Sequence, residues 1–330
     1  MDRLEQILKF ATRPQKGVEI GPYFNPLVPK SAGWDVLVLD VFETERLRAM
    51  ASADPSVADD RIAAIEPVDL VGPAHRLAEL AAERGIAPGT LDFVVSSHNF
   101  EHLPDPVRFL QAVARVLRPG GVLSMAIPDC RYSFDALRPP STAGAMIEAF
   151  LEARERPSPR QEFEHFTMLA ECRREDGVVQ NHFFDAGANA MPSFVTPVSP
   201  QLARWRGRLG GAVEEYRDVH CWLLTPAVFQ AIIAELRALD LCALEVEEVT
   251  ANNGIEFYVH LRRPVQAAPP AEGERCAAYA GQLREFRNGS APPPVPVAPL
   301  SRKAMVKGLI RDTPWLGPAA RAVWRLARRR

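Results

Sequence analysis

The chain has little that would staple it, anchor it or hold a metal. Five cysteines (Cys130, Cys172, Cys221, Cys242 and Cys276) are scattered through 330 residues, and no two stand in C-x-x-C spacing. An odd, dispersed set fits reduced thiols, with neither a disulfide framework nor a cysteine-built zinc site. His165, His182 and Asp185 share one segment, but none is at i,i+2 or i,i+4 from another. No metal site is therefore expected. No run of about eighteen apolar residues occurs, so no transmembrane helix is expected. The opening Met1-Asp-Arg-Leu-Glu-Gln-Ile7 is acidic and amphipathic and lacks a basic n-region. It does not read as a secretory signal, and a cytoplasmic protein is expected.

What is present is an ordinary apolar and charged content, in a chain long enough for one large domain or two. The net charge of −2 hides an asymmetry. Residues 301–330 carry nine Lys/Arg against the single acid Asp312, so a basic tail follows an acidic body.

Apolar periodicity sets the order of elements. Leu4, Ile7, Leu8 and Ala11 make a lead-in helix within 1–13. Short strands are expected at 18–21, 36–40 and 68–72, with helices at 43–53 and 73–85 between and after them. The run Leu91-Asp-Phe-Val-Val-Ser-Ser97 is almost wholly apolar, as a strand covered on both faces should be. A helix over 106–117 leads through Pro119-Gly-Gly121 into a fifth strand at 122–128. Such alternation predicts a doubly wound α/β sheet with parallel strands. After an irregular segment (130–219) with helices at 142–154 and 161–172, Thr225 and Pro226 open another helix. Two strands, 241–249 and 256–263, then form a C-terminal antiparallel hairpin, giving seven strands in all. Residues 264–300 read as a Pro-rich linker around a short helix at 274–287.

Chemistry concentrates at the strand ends. Gly17-Val-Glu-Ile-Gly21 ends one strand in an acid and a glycine, and Val36-Leu-Val-Leu-Asp40 ends the next in an acid. Two neighbouring parallel strands so built face a crevice where open α/β sheets bind nucleotide-like ligands. Gly21 admits close backbone approach, and Asp40 stands where a carboxylate can accept from a ribose diol. The ligand expected is an adenosine compound.

These residues resemble the class I S-adenosylmethionine-dependent methyltransferases. Glu19-Ile-Gly21 matches the start of that family's E-x-G-x-G loop, and Asp40 matches its second-strand acid. Asp92-Phe-Val-Val-Ser-Ser-His-Asn-Phe-Glu-His-Leu-Pro-Asp105 and Arg115–Pro128 are similar to its fourth- and fifth-strand signatures, and the resemblance covers roughly residues 14–263. It implies a methyltransferase domain over 14–263, S-adenosylmethionine as cofactor, and a cofactor set of Glu19, Gly21, Asn25, Asp40, Asp69 and Ser97. Tyr23 and Asn25 stand where the family has its second and third glycines. Asn25 tolerates a left-handed backbone, whereas Tyr23 is expected to cover or narrow the crevice.

Methyl transfer to a hydroxyl benefits from a general base at the strand ends, and His98, Asp129 and Arg131 are the candidates. Asp129 is read equally as a surface acid tying down Arg131. The 130–219 insertion is expected to form an acceptor lid, in which Phe134–Pro140 with Arg154 and Arg156 caps the pocket and suits an anionic acceptor. By resemblance the acceptor is a small molecule or a glycan in surface polysaccharide assembly. The competing reading is an inactive methyltransferase-like scaffold, with a nicotinamide-dependent sugar oxidoreductase as a third. In the tail, Leu316, Ala320, Val323, Trp324 and Ala327 oppose Arg321, Arg325, Arg328 and Arg329 at helical spacing. Such a helix suits peripheral contact with an anionic membrane through 301–330, or docking on a protein partner. Nucleic acid fits less well, because the tail lacks repeated aromatics for base stacking.

Overall fold

The computed structural model describes residues 2–174, 177–183, 191–209, 217–251, 253–266 and 272–288. The basic tail and Asp185 lie outside the described residues. The chain begins with α1 (Arg3–Ile7), where Asp2 and Glu5 form a reciprocal capping box. β1 (Lys16–Ile20), β2 (Asp35–Asp40), α2 (Thr44–Ser52), α3 (Asp59–Ala63), β3 (Leu70–Val71), α4 (Leu77–Glu83) and β4 (Leu91–Ser97) follow. Next, α5 (Pro106–Val116) starts where the Asp105 carboxylate caps the Arg108 amide and Pro106 takes the first turn. It buries Val107, Phe109, Leu110 and Val113 before β5 (Leu117–Pro128).

The inserted region holds α6 (Ala143–Leu151), α7 (Pro159–Met168), β6 (Ala170–Arg173), β7 (Val179–Gln180), β8 (Met191–Phe194) and α8 (Val198–Leu209). The three strands form a small antiparallel sheet, ordered β7-β6-β8, where only two helices were expected. Strands of two to four residues are too short to display a period-two pattern. The chain closes with α9 (Pro226–Ala238), β9 (Glu245–Val249), β10 (Glu256–Arg262) and α10 (Glu272–Asn288). The helix of the Pro-rich segment docks on the body: Arg275 pairs with Glu235 of α9, and Glu285 pairs with Arg131.

The main sheet has seven strands in the order β3-β2-β1-β4-β5-β10-β9. β3, β2, β1, β4 and β5 run parallel, and β10 pairs antiparallel with both β5 and β9. This is the expected α/β sheet with a terminal antiparallel hairpin. β4 is its buried centre, with Phe93, Val94 and Val95 fully covered. Gly17 makes room for that centre, since a Cβ there would lie 2.3 Å from the Phe93 ring. The chain crosses from β1 outward on one side and returns through β4 on the other. The carboxyl ends of β1, β2 and β4 therefore flank the point where strand order reverses.

Candidate active site at the sheet switch point

The glycine loop after β1 is held by a carboxylate beneath it. Glu19 is 2% exposed, and it accepts from the amides of Leu27 at 2.7 Å and Val28 at 3.3 Å. Its burial pushes the carboxyl up to about 7, against those two amides. Gly21 is left-handed (φ 59°), and a Cβ there would sit 3.3 Å from Nδ2 of Asn99. The second left-handed position of the loop falls on Tyr23 (φ 47°) rather than on Asn25. Asn25 instead turns back to the Pro22 carbonyl at 2.9 Å, and its Oδ1 accepts from Arg61 of α3 at 2.8 Å. The Tyr23 ring lies 4.5 Å from Phe24 and packs against the Leu47–Ala51–Ile65 cluster under α2. The loop thus keeps a glycine-type backbone while carrying a tyrosine.

Asp40 closes β2. It is buried, its Oδ1 accepts from the Phe42 amide at 3.0 Å, and burial raises its pKa. Among the described residues no cation pairs with Glu19 or Asp40. Asp69 does not join them. It precedes β3 instead of following it, and its Oδ2 is taken by the Val38 amide at 2.8 Å and Lys30 at 2.6 Å. A two-residue strand left its position along the sheet undetermined by pattern, and it stands short of the carboxyl edge.

The other wall is charged and cross-linked. Ser97 ends β4, where its hydroxyl accepts from Arg3 of α1 at 2.8 Å. His98 follows in a left-handed conformation (φ 50°) and places Nε2 2.7 Å from Glu256 at the head of β10. Glu256 also accepts from Arg3 at 2.7 Å and from the Tyr258 hydroxyl at 2.8 Å. Burial disfavours its charge, but the bonds from His98 and Arg3 overcome that and hold it at about 2. His98 moves the opposite way: burial lowers its pKa, yet Glu256 and Glu101 raise it overall.

After β5, Asp129 is fully buried rather than a surface acid, and both its oxygens are held by Arg131, at 2.9 and 2.6 Å. Arg131 also reaches Glu285 at 2.8 Å. Arg154 is tied to Glu148 and Glu152. Asn99 and Glu101, inside the fourth-strand signature but without an expected site role, and the distant Asp135 complete this wall. Asn99 has a buried Oδ1 without a hydrogen-bond partner beside Gly21, and Glu101 is fully buried with neither carboxylate oxygen hydrogen-bonded, its Oε1 lying at ion-pair distance, 3.7 Å, from His98 and His102. Asp135, held well below the usual carboxylate range against its burial by His220 and Arg138, lies 2.5 Å from Nδ1 of His220 and 2.7 Å from Arg138.

Residues 31–125 match the family model described as methyltransferase domain. The match starts beyond the glycine loop, where Tyr23 and Asn25 depart from the family pattern. The chain is similar to a solved S-adenosylmethionine-dependent methyltransferase from Thermotoga maritima, described as a possible histamine N-methyltransferase. The two share 23% identity over 39% of this chain and 51% of that one, with a TM-score of 0.27. It is also similar to S-adenosylmethionine-dependent methyltransferases from Methanosarcina mazei (14% identity, 79% of this chain and 97% of that one, TM-score 0.36) and Mesorhizobium loti (15%, 76% and 91%, TM-score 0.34). The alignment spans about half of the Thermotoga protein, 51% of its length. No curated protein sequence matches the chain.

Residues 31–125 thus carry a methyltransferase-domain match, and the seven-stranded sheet of this order is the Rossmann-like methyltransferase fold. S-adenosylmethionine is its cofactor. The residues fit that group. Gly21 leaves a space that a Cβ would fill, and Glu19 and Asp40 offer uncompensated acid to a sulfonium cation and a ribose.

Proposed function

We propose that this methyltransferase acts on a hydroxyl of a polar, glycan-type acceptor, as in surface polysaccharide assembly. The supporting observation is the lining after β4 and β5. There His98, Glu101, His102 and His220 gather into one polar, hydrogen-bonding cluster of the kind a polar acceptor calls for. The bound cofactor supplies an electrophilic methyl group on sulfur, and the protein contributes position and proton handling. Glu19 shapes the glycine loop, Gly21 allows close approach, and Asp40 takes the ribose hydroxyls. Ser97 and His98 form the corner between cofactor and acceptor, and the 130–219 insertion covers the acceptor. His98 is the group that holds the acceptor proton. Asp129 positions Arg131, because its own oxygens are fully engaged by that side chain.

The test supplies methyl-labelled S-adenosylmethionine with free sugars, nucleotide sugars and lipid-linked glycans, and reads the product by mass spectrometry. An O-methyl sugar whose formation drops in His98→Ala supports the reading. Methylation at nitrogen overturns it, and cofactor binding without turnover on any acceptor favours a scaffold. The basic tail is part of the same proposal: residues 301–330 bring the enzyme to an anionic membrane carrying its acceptor. Deleting them is expected to abolish sedimentation with phosphatidylglycerol vesicles, and unchanged sedimentation contradicts that role. Among the described residues no helix is long and apolar enough to cross a membrane.

A further inference from the structure

We propose that Glu101, His102 and His220 form a binding site for a divalent transition-metal ion. One ligand atom from each lies within 4.8 Å of the other two. Glu101 is fully buried, and both its oxygens lack a hydrogen-bond partner, a state that a buried carboxylate resolves by pairing or by ligating a metal. Its nearest imidazole nitrogens, Nδ1 of His98 and Nε2 of His102, each stand 3.7 Å from Oε1. That is too long for a hydrogen bond, and it is near the edge of about 3.4 Å that a tetrahedron of ~2.1 Å metal–ligand bonds requires.

The outer contacts have the form that metal-binding histidines take. Nδ1 of His102 lies 2.8 Å from Asp218, and Nδ1 of His220 lies 2.5 Å from Asp135. A carboxylate on Nδ1 fixes the ring and makes Nε2 the ligand atom. The third member is held in place by backbone: the amides of Cys221 and Trp222 both donate to the Glu101 carbonyl, at 2.7 and 3.2 Å. His220 is thereby clamped beside Glu101, and its ring meets that of His102 edge-on at 4.7 Å. Asp135 is fixed in turn by Arg138, which also donates to the His220 carbonyl at 3.0 Å.

Two imidazoles and a carboxylate suit zinc or manganese better than magnesium, and three protein ligands leave open coordination positions. If the acceptor is the hydroxyl compound proposed above, one of its oxygens can take such a position and lose its proton more readily.

The experiment uses the full chain, stripped with a chelator and freed of it, without cofactor or acceptor, so its failure is separate from failure of the methyltransferase reading. Calorimetric titration with Zn²⁺, Mn²⁺ and Mg²⁺ should show one equivalent of Zn²⁺ bound more tightly than Mg²⁺. Co²⁺ should give the visible absorption of a low-symmetry site. Glu101→Gln should weaken Zn²⁺ binding at least about 100-fold, and Asp218→Asn about 10-fold, as loss of an outer partner does. His75→Ala, outside the cluster, should leave binding unchanged, and circular dichroism establishes that each variant is folded. No stoichiometric metal on folded wild-type protein overturns the proposal. So does a folded Glu101→Gln variant that binds as wild type does.

Discussion

On the β1–β2 side of the crevice, Glu19 and Asp40 are held by backbone amides alone, whereas on the β4–β5–β10 side Glu256, Asp129 and Asp135 are each gripped by cationic or imidazole groups. The pKa directions follow from this difference. Burial wins at Glu19 and Asp40 and raises both; at Glu256 and Asp135 the partners win and lower both. An acid wall without its own cations is poised for a cationic ligand. A wall of closed ion pairs is a rigid frame, and among its described carboxylates Glu101 has no hydrogen-bond partner on either oxygen.

The largest effect should come from opening the frame. Arg138→Met leaves Asp135 buried beside His220 with one cation fewer, and should cost about 3–5 kcal/mol in urea unfolding. A loss below about 1 kcal/mol would mean that the pair is not closed as described.

The two walls should also separate by pH. Glu256, depressed to about 2, contributes stability that is fully present above about 4.5 and is lost as pH falls toward 2. Glu19, raised to about 7, contributes stability that is present below about 4.5 and is lost as pH rises through 7, by at most about 3 kcal/mol. Glu256→Gln should flatten the acid limb of the stability profile, and Glu19→Gln the limb between pH 4.5 and 7. Identical profiles for the two variants would erase the contrast. The same logic applies to ligands. Affinity for the sulfonium cofactor should rise from pH 5.5 to 8 more than affinity for neutral S-adenosylhomocysteine, by a few-fold, as Glu19 gains charge.

Smaller effects test the loop. Gly21→Ala places a Cβ at φ 59° and 3.3 Å from Asn99, and should cost about 1–2 kcal/mol. Tyr23→Gly should change stability by less than about 1 kcal/mol, because relief of the left-handed backbone offsets the lost ring packing.

Much of the β1–β2 wall was legible in the sequence because its determinants are local. Glu19, Gly21 and Asp40 sit at the ends of short apolar runs, and the strands around them follow from those runs. Arg131 was readable as a partner of Asp129 because it stands two residues away. The full burial of Asp129 was not, since it depends on the distant Leu224 and Ile255, whose backbones pair with the chain just after β5. The opposite wall joins residues far apart in the chain: Arg3 with Glu256, His98 with Glu256, Asp135 with His220, and Glu101 with the segment through Cys221. No spacing rule carries such pairs. The i,i+2 and i,i+4 spacings that mark metal sites are missing from His165, His182 and Asp185, and they give no signal for Glu101, His102 and His220, which meet only in the fold. Asp69 and Asn25 show the local limit: in a short strand or loop the sequence does not fix which way a side chain turns, and these two bond to Val38 and Lys30 and to Arg61.

The central claim is that the β1–β2 wall binds the adenosyl cofactor, and titration calorimetry of S-adenosylhomocysteine into the full chain, beside Asp40→Ala, tests it most directly. The account predicts saturable one-to-one binding in the micromolar range that weakens about 10- to 100-fold in the variant, as loss of hydrogen bonds to a buried carboxylate should. Absence of binding in folded protein, or equal binding by the variant, would contradict it.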